Sequence, residues 1–152
     1  MLWLCYEYTG NPKFLKTAEI QCKSFKNRID KKIAVDHHDM GFLYSPSCVA
    51  GYNITKNEEM KNSAISVAEQ LISRYRQKGE FIQAWGELGT QESNRMIIDC
   101  MNNLPLLFWV SNITKDKKYA IVAKKRAMTT LKNIVREDAS THHIFYFDWK
   151  CQ

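Results

Sequence analysis

The sequence has no apolar run approaching the ~18 residues needed to cross a bilayer, so no membrane partner is expected. Its basic charge comes without an RNP, zinc-finger or Arg-rich signature. Charge alone speaks to solubility and steering, so no nucleic-acid partner is expected either. A P-loop, GxGxxG, GxSxG and kinase signature are all missing. No CxxC pair occurs. Cys5, Cys22, Cys48, Cys100 and Cys151 make an odd count, and four of them sit among apolar residues of helical segments. Buried free thiols are the expectation, which fits a reducing, cytoplasmic compartment. The segment Met1–Tyr8 has neither a basic n-region nor a small-residue cleavage site, so it does not read as a signal peptide. It reads as the tail of a helix that begins upstream.

The composition suits one globular domain with a core: 152 residues, 45% hydrophobic and 12% aromatic. A charged fraction of 25% argues against bulk disorder. The net charge of +6 comes from scattered residues such as Lys31–Lys32, Lys117–Lys118 and Lys124–Lys125–Arg126, which read as solvated helix faces and loop ends. A mildly basic surface also suits an anionic sugar.

An internal repeat is the most informative feature. Thr-x-Asn/Asp occurs as Thr9-Gly10-Asn11, Thr55-Lys56-Asn57 and Thr114-Lys115-Asp116, each before a long helical pattern. Counting from the threonine, offset five holds Phe14, Met60 and Tyr119; offset nine holds Ala18, Ala64 and Ala123. Offset thirteen holds Cys22, Ala68 and Ala127, and offset twenty holds Ile29, Tyr75 and Ile134. Steps of four keep such side chains on one helix face, and small residues there let a neighbouring helix approach. Each Asn or Asp is a natural N-cap, and Pro12 fits the first helical position. Pro46 and Pro105 both lie nine residues before their threonine, and each should interrupt a helix. Asp39 and Asp99 lie sixteen and fifteen residues before theirs, near the start of the same helix in successive repeats.

The expected fold is all-α, in one partial domain over 1–152 built from three helical hairpins at 1–29, 39–76 and 96–135. The first hairpin lacks most of its first helix. The short aromatic run Ile144–Phe147 can pair as a strand. Repeated hairpins bury their faces only by stacking, as in solenoids and toroids.

Equivalent positions on adjacent inner helices would bring Asp39 and Asp99 together in a central cavity. Two carboxylates in one cleft are the usual equipment of glycoside chemistry. Other readings exist for each. Asp39 follows His37 and His38, which suggests a metal site or a helix cap, but no HxxxH or HExxH spacing supports a metal. Asp99, among Ile98, Cys100 and Met101, is either a desolvated acid/base or a core aspartate paired with Arg95. His143 sits in the loop after the third hairpin, where it could join the same rim. Trp85 and Trp149 could stack on sugar rings, whereas core packing is the safer reading for Trp3 and Trp109.

The segment Asp36-His37-His38-Asp39-Met40-Gly41-Phe42, followed by Pro46-Ser47-Cys48, resembles the His-Asp-x-Gly-Phe segment of unsaturated glucuronyl hydrolases, glycoside hydrolase family 88. Arg95–Asp99 with Asn103–Trp109 resembles that family's second aspartate helix. Thr129-Thr130-Leu131, Arg136-Glu137-Asp138 and Ser140–His143 continue the register. The resemblance implies that the hairpins form about half of an (α/α)6 barrel. It implies an unsaturated glycosaminoglycan-type oligosaccharide as substrate and hydration of its C4=C5 double bond as the reaction. Carried over, Asp99 is the general acid/base, Asp39 orients the substrate, and His38 and His143 line the sugar pocket, with no metal and no cofactor. Rhamnogalacturonyl hydrolases share the barrel, but the His-Asp-Met-Gly-Phe segment fits them less well. A non-catalytic helical interaction scaffold explains the repeat and the charge, but not paired aspartates beside histidines. The family's chains run longer and place further pocket residues beyond Gln152. A half barrel exposes apolar faces, which predicts self-association and little or no turnover by this chain alone.

Overall fold

The computed structural model describes residues 1–90 and 93–148. Helices α1 (Leu2–Thr9) and α2 (Pro12–Asp30) pack against each other. Next come α3 (Met40–Tyr44), a π-turn (Ser45–Val49), α4 (Ala50–Thr55) and α5 (Glu58–Ser73). A 3-10 helix (Ile98–Asn103) leads into α6 (Leu104–Thr114), which packs along α7 (Lys117–Ile134).

The three Thr-x-Asn/Asp turns share one set of hydrogen bonds. The hydroxyls of Thr9, Thr55 and Thr114 donate back to the carbonyls of Cys5, Gly51 and Val110 at 2.6, 2.8 and 2.7 Å. The same oxygens accept the N–H of Asn11, Asn57 and Asp116 at 3.2, 3.2 and 3.3 Å. The Asn or Asp side chain then accepts the N–H two residues on, at 3.0, 2.9 and 2.9 Å. The middle residues Gly10, Lys56 and Lys115 take left-handed conformations, with φ of 65, 58 and 63°. One tripeptide thus closes one helix and caps the next, satisfying donors that would otherwise be orphaned. Ala18, Ala64, Ala68 and Ala123 are buried where the helices meet, together with Trp3, Met40, Tyr44, Leu71, Leu106, Leu107 and Val110. Each large apolar side chain buried this way contributes ~1.5–3 kcal/mol.

The inner segments are less regular than the sequence predicts. Pro46 has no N–H to give, and the chain takes up the defect as the π-turn between α3 and α4. Pro105 lies in the first turn of α6, where a missing N–H costs nothing. The segment expected to be helical from 96 begins as a strand. β3 (Arg95–Ile97) pairs antiparallel with β4 (Ile144–Tyr146), matching Met96 with Phe145 and Ile97 with Ile144. β1 (Tyr75–Arg76) pairs with β2 (Phe81–Ile82), so Tyr75 leaves the helix it was expected to extend. Phe81, Met96, Cys100 and Ile134 form a second apolar cluster, and Phe147 stacks on Phe81 with ring centroids 4.0 Å apart. Cys22, Cys48 and Cys100 are buried free thiols and Cys5 is half-buried, while Cys151 and Trp149 lie outside the described residues. No described helix is long and apolar enough to cross a membrane.

Candidate active site

Two fully buried polar side chains shape one wall of the site. Arg74, just past the end of α5, pairs with Asp36 and donates to the carbonyls of Gln83 at 3.0 Å and Gly86 at 2.9 Å. The Gln83 amide donates to the carbonyls of Trp85 and Glu87 at 3.1 and 3.0 Å. A charged donor held among several carbonyls fixes a loop more firmly than neutral bonds alone. The loop so fixed carries Trp85. Its indole meets His38 edge-on at 6.2 Å, and the Arg95 guanidinium lies 4.6 Å over its face. The His38 N–H donates to the Ala84 carbonyl at 2.8 Å, tying the histidine to the same loop.

His38 is buried, and its Nε2 lies 3.2 Å from an Asp39 oxygen and 3.7 Å from an Asp99 oxygen. One ring nitrogen and one oxygen from each carboxylate lie within 4.8 Å of one another. Burial pushes the His38 imidazole below its ordinary value; Asp39 and Asp99 pull it upward, while Arg126 and His37 push it further down. The same ring nitrogen thus lies close to both carboxylates, while the buried Nδ1 has no hydrogen-bond partner among the described residues. One buried imidazole beside two half-exposed carboxylates is a set that can move protons, and its atoms are also compact enough to face one small cation. His37 also approaches Asp39, with its Nδ1 3.4 Å from a carboxylate oxygen. Its Nε2 lies 3.2 Å from the Ala34 carbonyl and its Nδ1 accepts the Asp39 N–H at 3.2 Å.

Asp39 occupies the N-cap position of α3 but makes no side-chain cap bond, which disposes of the capping reading. Asp99 differs from its expected setting. Its side chain is 50% exposed, because the 3-10 turn sends Cys100 into the core and leaves Asp99 at the surface. Arg95 stacks on Trp85 rather than pairing with Asp99. His143 is placed beside this turn by the backbone: its carbonyl accepts the Ile98 N–H at 3.0 Å, which continues the β3–β4 ladder. Trp3 is a core residue, and Trp109 is half-buried with its indole N–H donating to Asn53. An open hollow of about 430 Å³ is lined by Phe42, Ser45, Pro46, Met101, Asn102 and Pro105, from the two segments that follow Asp39 and Asp99 in the chain. The two prolines of the repeat therefore face one space. Sequence reasoning missed Arg74 and Gln83, whose role depends on contacts invisible to periodicity.

Comparison with known proteins accords with this arrangement. The model of Glycosyl Hydrolase Family 88 matches residues 1–152. The chain is 46% identical over 147 residues to an unsaturated chondroitin disaccharide hydrolase of Streptococcus pneumoniae, covering 97% of this chain and 37% of the relative. It superposes on the crystal structure of unsaturated glucuronyl hydrolase from Streptococcus agalactiae with a TM-score of 0.96 and 47% identity, covering 99% of this chain and 38% of that one. An aspartate-to-asparagine mutant of the agalactiae enzyme, complexed with dGlcA-GalNAc6S, matches with a TM-score of 0.79 and 39% identity over 97% of this chain and 34% of that one. The chain thus spans somewhat over a third of these relatives' length. Its helical hairpins correspond to a portion of their (α/α)6 barrel. With the family pattern matched from end to end and the fold superposed, the chain belongs to Glycosyl Hydrolase Family 88.

Proposed function

We propose that this chain carries the acid/base group of a glycosidase that hydrates the C4=C5 double bond of an unsaturated uronic acid at the end of a glycosaminoglycan-type oligosaccharide. One observation carries the reading: the half-exposed carboxylates of Asp39 and Asp99 meet at a single buried histidine. In this scheme protonated Asp99 gives its proton to C4 of the ring double bond. Positive charge develops at C5 and is shared by the ring oxygen. The Asp99 carboxylate then takes a proton from the water that adds at C5. The acid is regenerated, and the resulting hemiketal opens to release the neighbouring sugar. Asp39 accepts a hydrogen bond from the sugar and orients it. His38 fixes the separation of the two carboxylates, and His143 and Trp85 border the bound ring. Proton transfer by carboxyl groups completes this cycle, so neither a metal nor a cofactor enters it. Free buried thiols suit a reducing, cytoplasmic setting for the protein.

The names of the similar proteins support a chondroitin-type disaccharide as the first substrate to try. The test is to graft residues 1–152 in place of the matching part of the agalactiae enzyme. An unsaturated chondroitin disaccharide is then supplied, and loss of the double-bond absorbance is followed. Turnover by the graft supports the proposal; a folded graft with no turnover refutes it.

A further inference from the structure

Arg126 lies on α7, and its side chain is fully buried. Among the described residues, none of its three guanidinium nitrogens has a hydrogen-bond partner. Buried charges are normally paired, because the interior solvates them poorly, so an unpartnered one calls for a reason. Its surroundings supply one. One turn on, the Thr130 hydroxyl donates to the Arg126 carbonyl at 3.0 Å and lies 3.4 Å from the Cys100 sulfur. That turn of α7 therefore packs directly under the 3-10 helix carrying Asp99. The charged and titratable groups within its field are Asp99 and Cys100 on that helix and His38 ahead of α3. Burial pulls the guanidinium down to about 10, still far above neutral pH, so the charge persists.

We infer that Arg126 is a positioning residue: a fixed cation packed under the 3-10 helix that holds the Asp99 carboxylate in place beside His38, without touching substrate. The inference rests on the acid/base reading above, yet its test needs no turnover. Once Asp99 has given up its proton, its carboxylate and that of Asp39 both lie against the His38 ring nitrogen, and His38 would answer by taking a proton itself. A cation beneath opposes that protonation and stabilises the pair in its place. Low dielectric makes the field of an interior charge felt over this range.

The experiment is an NMR pH titration of the His38 imidazole in wild type, Arg126→Met and Arg126→Lys. The Met variant keeps the apolar stem and drops the charge. Its His38 midpoint is expected to move to higher pH, while the Lys variant restores the wild-type midpoint. A folded Arg126→Met chain with an unmoved His38 midpoint overturns the inference. Should Arg126→Met not fold, Asp99→Asn in the wild-type background decides. It is expected to lower the unfolding temperature, because it removes a negative charge that acts on the buried cation. If repulsion from Asp39 dominates instead, Asp99→Asn leaves stability unchanged or raised, and the inference falls. None of these results bears on whether Asp99→Asn abolishes turnover, which tests the reaction itself.

Discussion

Gly41 lies against the backbone of Asn103, so close that a β-carbon added there would collide with the Asn103 carbonyl and Cα. Beside this contact the Phe42 N–H donates to the Asn103 side-chain oxygen at 2.7 Å. These two interactions clamp the start of α3 to the end of the 3-10 helix. Asp39 sits two residues before one side of the clamp and Asp99 four before the other. The separation of the carboxylates is thus set by a missing methyl group. Gly41→Ala is expected to cost ~1–3 kcal/mol, the usual penalty for overpacking. Urea unfolding reads the loss, and the His38–Asp99 contact should lengthen in the variant's structure.

The buried neutral state of His38 makes stability depend on pH. Its folded value lies below the ordinary one, so the unfolded chain binds the extra proton first as pH falls. The stabilisation is therefore complete above the ordinary histidine range and is lost on acidification toward the folded value. Urea midpoints measured from about pH 7.5 down to about pH 5.5 should fall for the wild type. In His38→Asn this part of the slope should disappear.

Arg74 holds the Trp85 loop by its bonds to the Gln83 and Gly86 carbonyls. Arg74→Met keeps the stem but takes the charged donor from the Gln83 carbonyl, at ~1–3 kcal/mol for a buried group left unpaired, while the Gly86 carbonyl keeps the Gln83 amide at 3.3 Å. Its partner Asp36 is 70% exposed and can turn to water, so the ion pair itself adds little. Besides the stability loss, tryptophan fluorescence should shift to the red and quench more readily as Trp85 comes free.

Phe42, Met101 and Phe108 are exposed large apolar residues, and the first two border the open hollow. Clustered apolar surface of this kind favours association. Sedimentation velocity of the isolated chain should show concentration-dependent oligomers, which Phe42→Ser with Met101→Ser should reduce. With only this wall around the cleft, the isolated chain is also expected to hydrate the disaccharide slowly or not at all.

The hairpin turns were legible in the sequence because their determinants are local: threonine, a left-handed residue and a capping Asn or Asp lie within three positions. The alignment of Asp39 with Asp99 was legible for the same reason, since both count back from those turns. The backbone between was not. Met96-Ile97-Ile98 fits a buried helix or a buried strand equally well, and the choice was made by Ile144–Tyr146, nearly fifty residues away. That pairing delivers the His143 backbone beside Asp99 and turns the Asp99 side chain outward rather than into the core. Arg126, which reads with Lys124–Lys125 as part of a solvated helix face, is instead fully buried, and nothing near it in sequence marks a buried arginine.

The most direct test of the paired-carboxylate account is the rate of double-bond loss from unsaturated chondroitin disaccharide in the grafted enzyme, compared among Asp99→Asn, Asp39→Asn and the unmodified chain. The expected result is a fall of at least ~100-fold for Asp99→Asn, the scale of a lost general acid. Asp39→Asn should give a severe loss shared between kcat and KM. A folded Asp99→Asn graft that hydrates the disaccharide at the unmodified rate would contradict the account.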